Sequence, residues 1–176
     1  MRTRLTLLLA AAALAGCGTA PTNTAAVTPP SGAQPSEQDR TWMRTIHEGN
    51  LAEIQSGRLA QGKGSAKAVK SVGKMMLDDH TALDRKVTQA ATQLGIDLPG
   101  SPNAEQRELG QKLREVTGAD FDQDFLAGMT KSHNAALEAT RQEIAKGTSP
   151  QVVALAKEAE PKLKEHLAAL RKAHGG

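Results

Sequence analysis

The stretch KMMLDDH, residues 74–80, lies in the middle of a long helical pattern and places a histidine in its apolar stripe. The steps of three and four residues in that stripe keep its members on one face of an α-helix. The members are Val69, Val72, Met76, His80, Leu83, Val87, Ala90 and Leu94. A buried imidazole without a partner costs a few kcal/mol of folding free energy. The position of His80 in the stripe therefore predicts that its ring has a polar partner or binds a ligand inside the protein.

The same periodicity predicts three more long helices and one short one. The long helices are expected over residues 39–61, 65–94, 121–146 and 150–173, and the short one over 104–116. Ser65, Asp120 and Ser149 are the predicted N-caps of the second, third and fourth long helices, and Asp122 also reads as a cap residue. Two tight turns and one longer connection then predict an all-α fold, a four-helix bundle with a short extra helix between helices two and three.

Each long helix carries one histidine in its inward stripe: His47, His80, His133 and His166. Each lies about 15–18 residues, or ~22–27 Å along the helix, from the tight turn at the end of its helix. Two long helices joined by a tight turn form a hairpin, so the two histidines of each hairpin, His47 with His80 and His133 with His166, are level. An up-down bundle places all four in one layer. A connection that crosses the bundle lengthwise offsets the two pairs. The sequence permits both arrangements.

Four inward histidines at matched depth predict a transition-metal site. His47, His80 and His133 each follow a methionine by four residues, so Met76 is a candidate thioether ligand beside His80. Imidazole with thioether suits copper, whereas imidazole with carboxylate suits zinc, iron or manganese. Glu53 is the candidate carboxylate, while Asp84 is expected to face water.

Two other readings of these residues stay open. In the first, the histidines are hydrogen-bonded core residues of a structural or interaction protein, and Glu53 pairs with a Lys or Arg at a helix edge. An enzyme is the least favoured class, because the chain offers no activated nucleophile and no nucleophile-elbow serine.

Residues 1–17 have the pattern of a secretion leader. Arg2 and Arg4 precede the apolar run 5–14, which is too short to span a bilayer, and the segment ends in LAGC, residues 14–17. This ending is similar to the lipobox of bacterial lipoproteins, in which the cysteine is lipidated. Cys17 is therefore the predicted lipidation site, and the protein is expected at the cell envelope, on the outer membrane facing the periplasm.

Composition divides the rest of the chain into a tether and a folded domain. Residues 18–38 are rich in Thr, Ala, Pro and Gly and predict a disordered tether, followed by a domain over 39–174. The predicted partner is thus a membrane, reached through Cys17; no protein partner is identified. Without the leader, 20 basic residues face 19 acidic ones, so charge gives no reason to expect nucleic acid.

An ordered set of motifs resembles the family of the domain of unknown function 4142, bacterial envelope proteins labelled putative outer-membrane proteins. The motifs are Trp42, GNLAEI (49–54), GRLA (57–60), MLDDHT (76–81), Leu98-Pro99, Gly118 with Phe121-Asp122, His133, and Pro161 with His166-Leu167. The resemblance covers nearly all of residues 39–174. It implies a ferritin-like fold with a lengthwise connection between helices two and three, and no established activity. Leu77, Thr130 and Leu163 occupy positions where the ferritin di-iron motif has Glu three residues before His, so a ferroxidase is not implied.

Overall fold

The computed structural model describes residues 34–175. This part of the chain is all-helical, with five helices and no β-strand. The helices are α1 (Glu37–Lys63), α2 (Lys67–Leu94), α3 (Ala104–Glu115), α4 (Gly118–Lys146) and α5 (Pro150–His174). The predicted short helix between the second and third long ones is α3. The leader, Cys17 and the tether up to residue 33 lie outside the described residues, and α1 begins two residues before the predicted start of the domain at 39.

Local capping chemistry explains where two of the four long helices begin. Ser36 and Asp39 form a reciprocal capping box at the start of α1. Ser149 caps α5 with Pro150 in its first turn, as predicted. Such side chains satisfy backbone N–H groups that the first helical turn leaves without partners.

The predicted caps of the other two long helices are wrong. The N-cap of α2 is Ala66 rather than Ser65, and the N-cap of α4 is Thr117 rather than Asp120; neither makes a side-chain cap bond. Asp120 lies in the first turn of α4 and is exposed. Asp122, also predicted to cap α4, binds the start of α2 instead, which satisfies the N–H groups there.

Asp39 fastens the start of α1 to the turn between α4 and α5. Its carboxylate accepts from the backbone N–H groups of Thr148 and Ser149, both at 3.1 Å, and from the Thr148 hydroxyl at 2.8 Å. Because α4 ends at this turn, α1 and α4 run antiparallel.

Asp122 makes the matching contacts at the other end of the molecule. It accepts from the backbone N–H groups of Ser65 at 3.0 Å and Ala66 at 2.8 Å, and from the Ser65 hydroxyl. Asp122 follows Asp39 by 83 residues, and the α4–α5 turn follows the α1–α2 turn by the same 83 residues. Each hairpin therefore holds the turn of the other through an equivalent aspartate.

The connection between α2 and α4 runs the length of the domain. Just after α2, Ile96 packs in one apolar cluster with Trp42 near the start of α1. The start of α4 lies at the opposite end, where Gly118 forms a backbone bridge with Gly64 after α1. The segment between them, including α3, passes along α1 and α4. The connection is therefore the lengthwise one rather than that of a simple up-down bundle.

Apolar side chains fill the two ends of the helix packing and leave a polar layer between them. One cluster contains Trp42, Met43, Ile46, Val87, Ala90, Ala91, Ile96, Val152, Leu155, Ala156 and Ala159. The other contains Ala60, Val69, Val72, Met76, Leu113, Phe121, Phe125, Leu126, Met129 and Leu170. Along α1 and α2, the buried polar residues Asn50, Glu53 and His80 fall between the two clusters.

No helix among residues 34–175 is long and apolar enough to cross a membrane.

Candidate metal centre

Three histidines from three helices meet inside the polar layer. His80 of α2, His133 of α4 and His166 of α5 each offer one ring nitrogen, and these atoms all lie within 4.8 Å of one another. The His133 Nε2 atom lies 3.4 Å from His80 Nε2 and 3.0 Å from His166 Nδ1. All three residues are at most 2 % exposed. Tetrahedral ligands at about 2.0–2.1 Å from a zinc ion lie about 3.3–3.4 Å apart, so the spacing is close to that of a coordination shell.

The second ring nitrogen of His80 and that of His166 each face an oxygen acceptor. His80 Nδ1 lies 2.9 Å from Asn50 Oδ1, and His166 Nε2 lies 3.0 Å from Asp79 Oδ2. Because an oxygen acceptor requires a proton on the nitrogen that faces it, these contacts place a proton on His80 Nδ1 and on His166 Nε2, and the other nitrogen of each ring points into the cluster.

His133 follows the same rule through the backbone of its own helix. Its Nδ1 atom lies 3.0 Å from the Met129 carbonyl oxygen and 3.2 Å from Glu53 Oε1. When His133 and His166 are neutral, their inward nitrogens are therefore the free ones. Ligating histidines in metalloproteins commonly have their other N–H bonded to a carboxylate, carbonyl or similar acceptor.

Glu53 supplies a buried negative charge beside this cluster. Its Oε2 atom lies 2.7 Å from His80 Nε2, and its side chain is 5 % exposed. Burial alone raises the pKa of a carboxyl, but His133 and His80 outweigh burial and hold the pKa of Glu53 well below its usual range. Glu53 does not belong to the group of ligand atoms within 4.8 Å, so in this geometry it is a counter-charge in contact with two of the rings.

The pKa values of His133 and His166 shift in opposite directions. Burial lowers the pKa of His133, but the charge and hydrogen bond of Glu53 outweigh burial and raise it overall. Burial lowers the pKa of His166 to about 4, helped by His80 and His133 and opposed by its bond to Asp79. In the absence of a metal, a proton on His133 Nε2 can donate to His166 Nδ1. A proton on His80 Nε2 can likewise donate to Glu53.

Two cavities reach this layer from different sides. One of about 130 Å³, between α2 and α5, is lined by His80 and His166 and by Asp79 and Lys162. Another of about 460 Å³ is lined by side chains of α1, α3 and α4, including Glu53. The smaller cavity reaches two of the three histidines directly.

The fourth candidate ligand, His47, does not join the cluster. Its Nδ1 atom lies 2.7 Å from Asp84 Oδ1, and its Nε2 atom lies 3.1 Å from the Pro99 carbonyl oxygen. Asn50, three residues later on α1, points to His80 in its place. The expectation that Asp84 faces water is wrong, because it binds both His47 and Asn50.

The remaining candidates divide between the site and the core. Glu53 faces inward as predicted, although its partners are His80 and His133 rather than a Lys or Arg. Met76 is fully buried in the apolar cluster that contains Phe121, and its role as a thioether ligand stays a prediction. Of the acceptors that orient the rings, Asn50 could have been anticipated from its place on the inward face of α1.

Comparison with known families gives one match. The model of the domain of unknown function DUF4142 matches residues 24–173. A comparison with curated proteins finds no match, and neither does a comparison with solved structures. The match to the family model covers most of the chain. The protein is therefore a member of the DUF4142 family.

Proposed function

We propose that this protein is a transition-metal-binding, ferritin-like four-helix bundle of the bacterial cell envelope, with no catalytic role. His80, His133 and His166 are the proposed ligands. The carrying observation is that each of these rings has its outer nitrogen against an oxygen acceptor and its inner nitrogen towards the other rings, with the Glu53 carboxylate beside the inner nitrogen of His80. Three inward lone pairs repel one another unless a cation lies between them, and a divalent ion can bind all three at once.

The electrostatics of the layer support a divalent ion. The ionised Glu53 carboxylate offsets one of its two charges, which reduces the cost of bringing the ion into the buried layer. Zinc, copper and iron all accept neutral imidazole, and the donor set alone does not select among them.

A structural role is the second candidate, favoured by a specific contact. The 3.0 Å contact between His133 and His166 and the 2.7 Å contact between His80 and Glu53 are ordinary hydrogen-bond distances. If the layer serves only to fix the register of the four long helices, hydrogen bonds account for these contacts and no metal is needed. In that case the protein is a structural or interaction module of the envelope.

Melting temperature separates the two candidates. Zinc and copper are added to the metal-free domain near pH 7.5, with wild type, His133→Ala and, as an exposed control, His174→Ala. A bound ion raises the melting temperature with the logarithm of its concentration over the dissociation constant. We expect the rise in wild type and His174→Ala, and its loss in His133→Ala. If neither metal raises the melting temperature of wild type, or if His133→Ala gains as much, the structural role is correct.

The location at the envelope rests on the leader. The short apolar run and the LAGC sequence ending at Cys17 are the reason to propose a lipid anchor, with a tether before the helical domain. Lipid labelling of cells that express wild type or Cys17→Ser tests it. Label in wild type and none in Cys17→Ser is expected; an unlabelled wild type contradicts the anchor.

A further inference from the structure

Of the three clustered histidines, only His80 depends on a group that can face either way. His133 donates to a backbone carbonyl and His166 to a carboxylate, and neither of those acceptors can turn into a donor. His80 faces the side-chain amide of Asn50, which presents an acceptor at one end and a donor at the other. If this amide turned over, His80 Nδ1 would have to accept, and the neutral ring would keep its one proton on Nε2, where the metal is to bind.

Asp84 prevents that turn. Its Oδ1 atom lies 3.2 Å from Asn50 Nδ2, and the side chain of Asn50 is completely buried. A carboxylate only accepts, so the NH₂ end of the amide must face Asp84 and the oxygen end must face His80. A turned amide would set two oxygens against each other in a buried layer, which is costly.

His47 holds Asp84 in place from the other side. It lies 2.7 Å from the same Asp84 oxygen, and its second nitrogen lies 3.1 Å from the carbonyl oxygen of Pro99. The histidine that does not enter the cluster thus links the connection after α2 to the hydrogen bonds that lead to His80.

We propose that Asp84 and Asn50 are positioning residues for the metal site: together they keep a proton on His80 Nδ1, so that Nε2, which faces Glu53 and the other two rings, is the nitrogen that binds the ion. This inference rests on the proposed function. Outer partners of this kind typically change metal affinity 10- to 100-fold when they are mutated.

The test reads the tautomer and the metal affinity separately. Long-range ¹H–¹⁵N correlation spectra of the imidazole rings give the tautomer of His80 in the metal-free protein. Competitive titration with zinc gives the dissociation constant. The variants are Asp84→Asn, Asn50→Asp and the double variant that carries both, with Asn134→Ala on the exposed face of α4 as control.

Each variant has a distinct expected result. Asp84→Asn is isosteric but removes the carboxylate that orients Asn50, so we expect a mixture of tautomers at His80 and zinc binding about 10-fold weaker or more. Asn50→Asp alone keeps an acceptor for His80 but sets two carboxylates side by side. The double variant exchanges amide and carboxylate, so His80 again faces an acceptor, and both the Nδ1–H tautomer and zinc affinity should return towards wild type.

The outcomes separate this inference from the proposed function. A His80 ring without a proton on Nδ1 in wild type overturns the positioning role, and so does an Nδ1 proton that is unchanged in Asp84→Asn. If wild type binds no zinc, the proposed function fails and the positioning role fails with it. Zinc binding by wild type with equal affinity in Asp84→Asn overturns the positioning role alone.

Discussion

The His133 Nε2 and His166 Nδ1 atoms lie 3.0 Å apart, although the other nitrogen of each ring already faces an oxygen. Two neutral rings in this arrangement bring two lone pairs together, so the contact requires a cation. A proton satisfies it in the metal-free protein, and under the proposed function a metal ion replaces the proton. Metal binding in this protein is therefore expected to release protons, as it does wherever ligands must lose a proton to bind.

Glu53 should stabilise the metal-free protein in a pH-dependent way. Its charge raises the pKa of His133, so the pair contributes stability that is fully present below the ordinary histidine pKa and is lost as pH rises through the raised value. We expect Glu53→Gln to lower the free energy of unfolding by about 1–3 kcal/mol at pH 6 and by less at pH 9. Urea unfolding at the two pH values measures this.

The matched control for Glu53→Gln is Glu138→Gln, a change at an exposed glutamate of α4. It should alter the free energy of unfolding by no more than about 0.5 kcal/mol. An effect of Glu53→Gln that is the same at pH 6 and pH 9 would show that the ion pair with His133 does not form.

Asp122 should contribute more to stability than its neighbour Asp120. Burial raises the pKa of Asp122, but hydrogen bonds from Ser65 and Ala66 outweigh burial and lower it. A depressed pKa means that stability is present above the ordinary aspartate pKa and is lost as pH falls through the lowered value. We expect Asp122→Ala to cost about 1–3 kcal/mol at pH 7.

Asp120→Ala provides the comparison from the same turn of α4. Asp120 is exposed and acts only through the charge at the helix start, which is worth about 0.3–1 kcal/mol. Thermal unfolding of the two variants at neutral pH measures the difference. Equal losses in both would mean that the contact between the two hairpins carries no energy of its own.

The helices and the histidine layer were predictable because they depend on local periodicity. The stripes at steps of three and four residues define the inward faces, and His80, His133 and His166 fall on those faces. The caps were less predictable. Asp122 looks like an ordinary first-turn acid, yet its partners, Ser65 and Ala66, lie in a turn more than fifty residues earlier.

Two parts of the site follow from contacts between helices, which periodicity does not determine. Equal depth along the helices suggested that His47 would join His80, but depth does not give the angle around the helix axis. Asn50 takes the inward position, and His47 turns to Asp84. Asp84 then becomes partly buried, although its place in the sequence, beside Arg85 and Lys86, is typical of a surface.

Glu143 should make the protein less stable as pH rises towards neutrality. Burial and the neighbouring carboxylate of Asp39 raise the pKa of Glu143 to about 7, and among the described residues its Oε1 atom has no hydrogen-bond partner. Between about pH 4.5 and pH 7 the folded state keeps a proton that the unfolded state loses, so the stability from this group falls as pH rises.

Glu143→Gln removes this titration and keeps the size of the side chain. We expect the variant to gain stability over wild type by up to about 3 kcal/mol between pH 4.5 and pH 8, a limit set by the size of the pKa shift. Urea unfolding of both proteins across this range gives the difference directly, and contributions from other groups cancel. A difference that does not vary with pH would contradict a raised pKa at Glu143.

X-ray absorption of the zinc-loaded domain tests the central claim most directly, because it counts the imidazole ligands and measures their distances. One zinc ion per chain with three imidazole nitrogens at about 2.0–2.1 Å is the predicted result. The same measurement on His133→Ala should show loss of the bound zinc or of one imidazole from its shell. A shell with fewer than three imidazoles in wild type, or an identical spectrum for His133→Ala, would contradict a metal centre built from His80, His133 and His166.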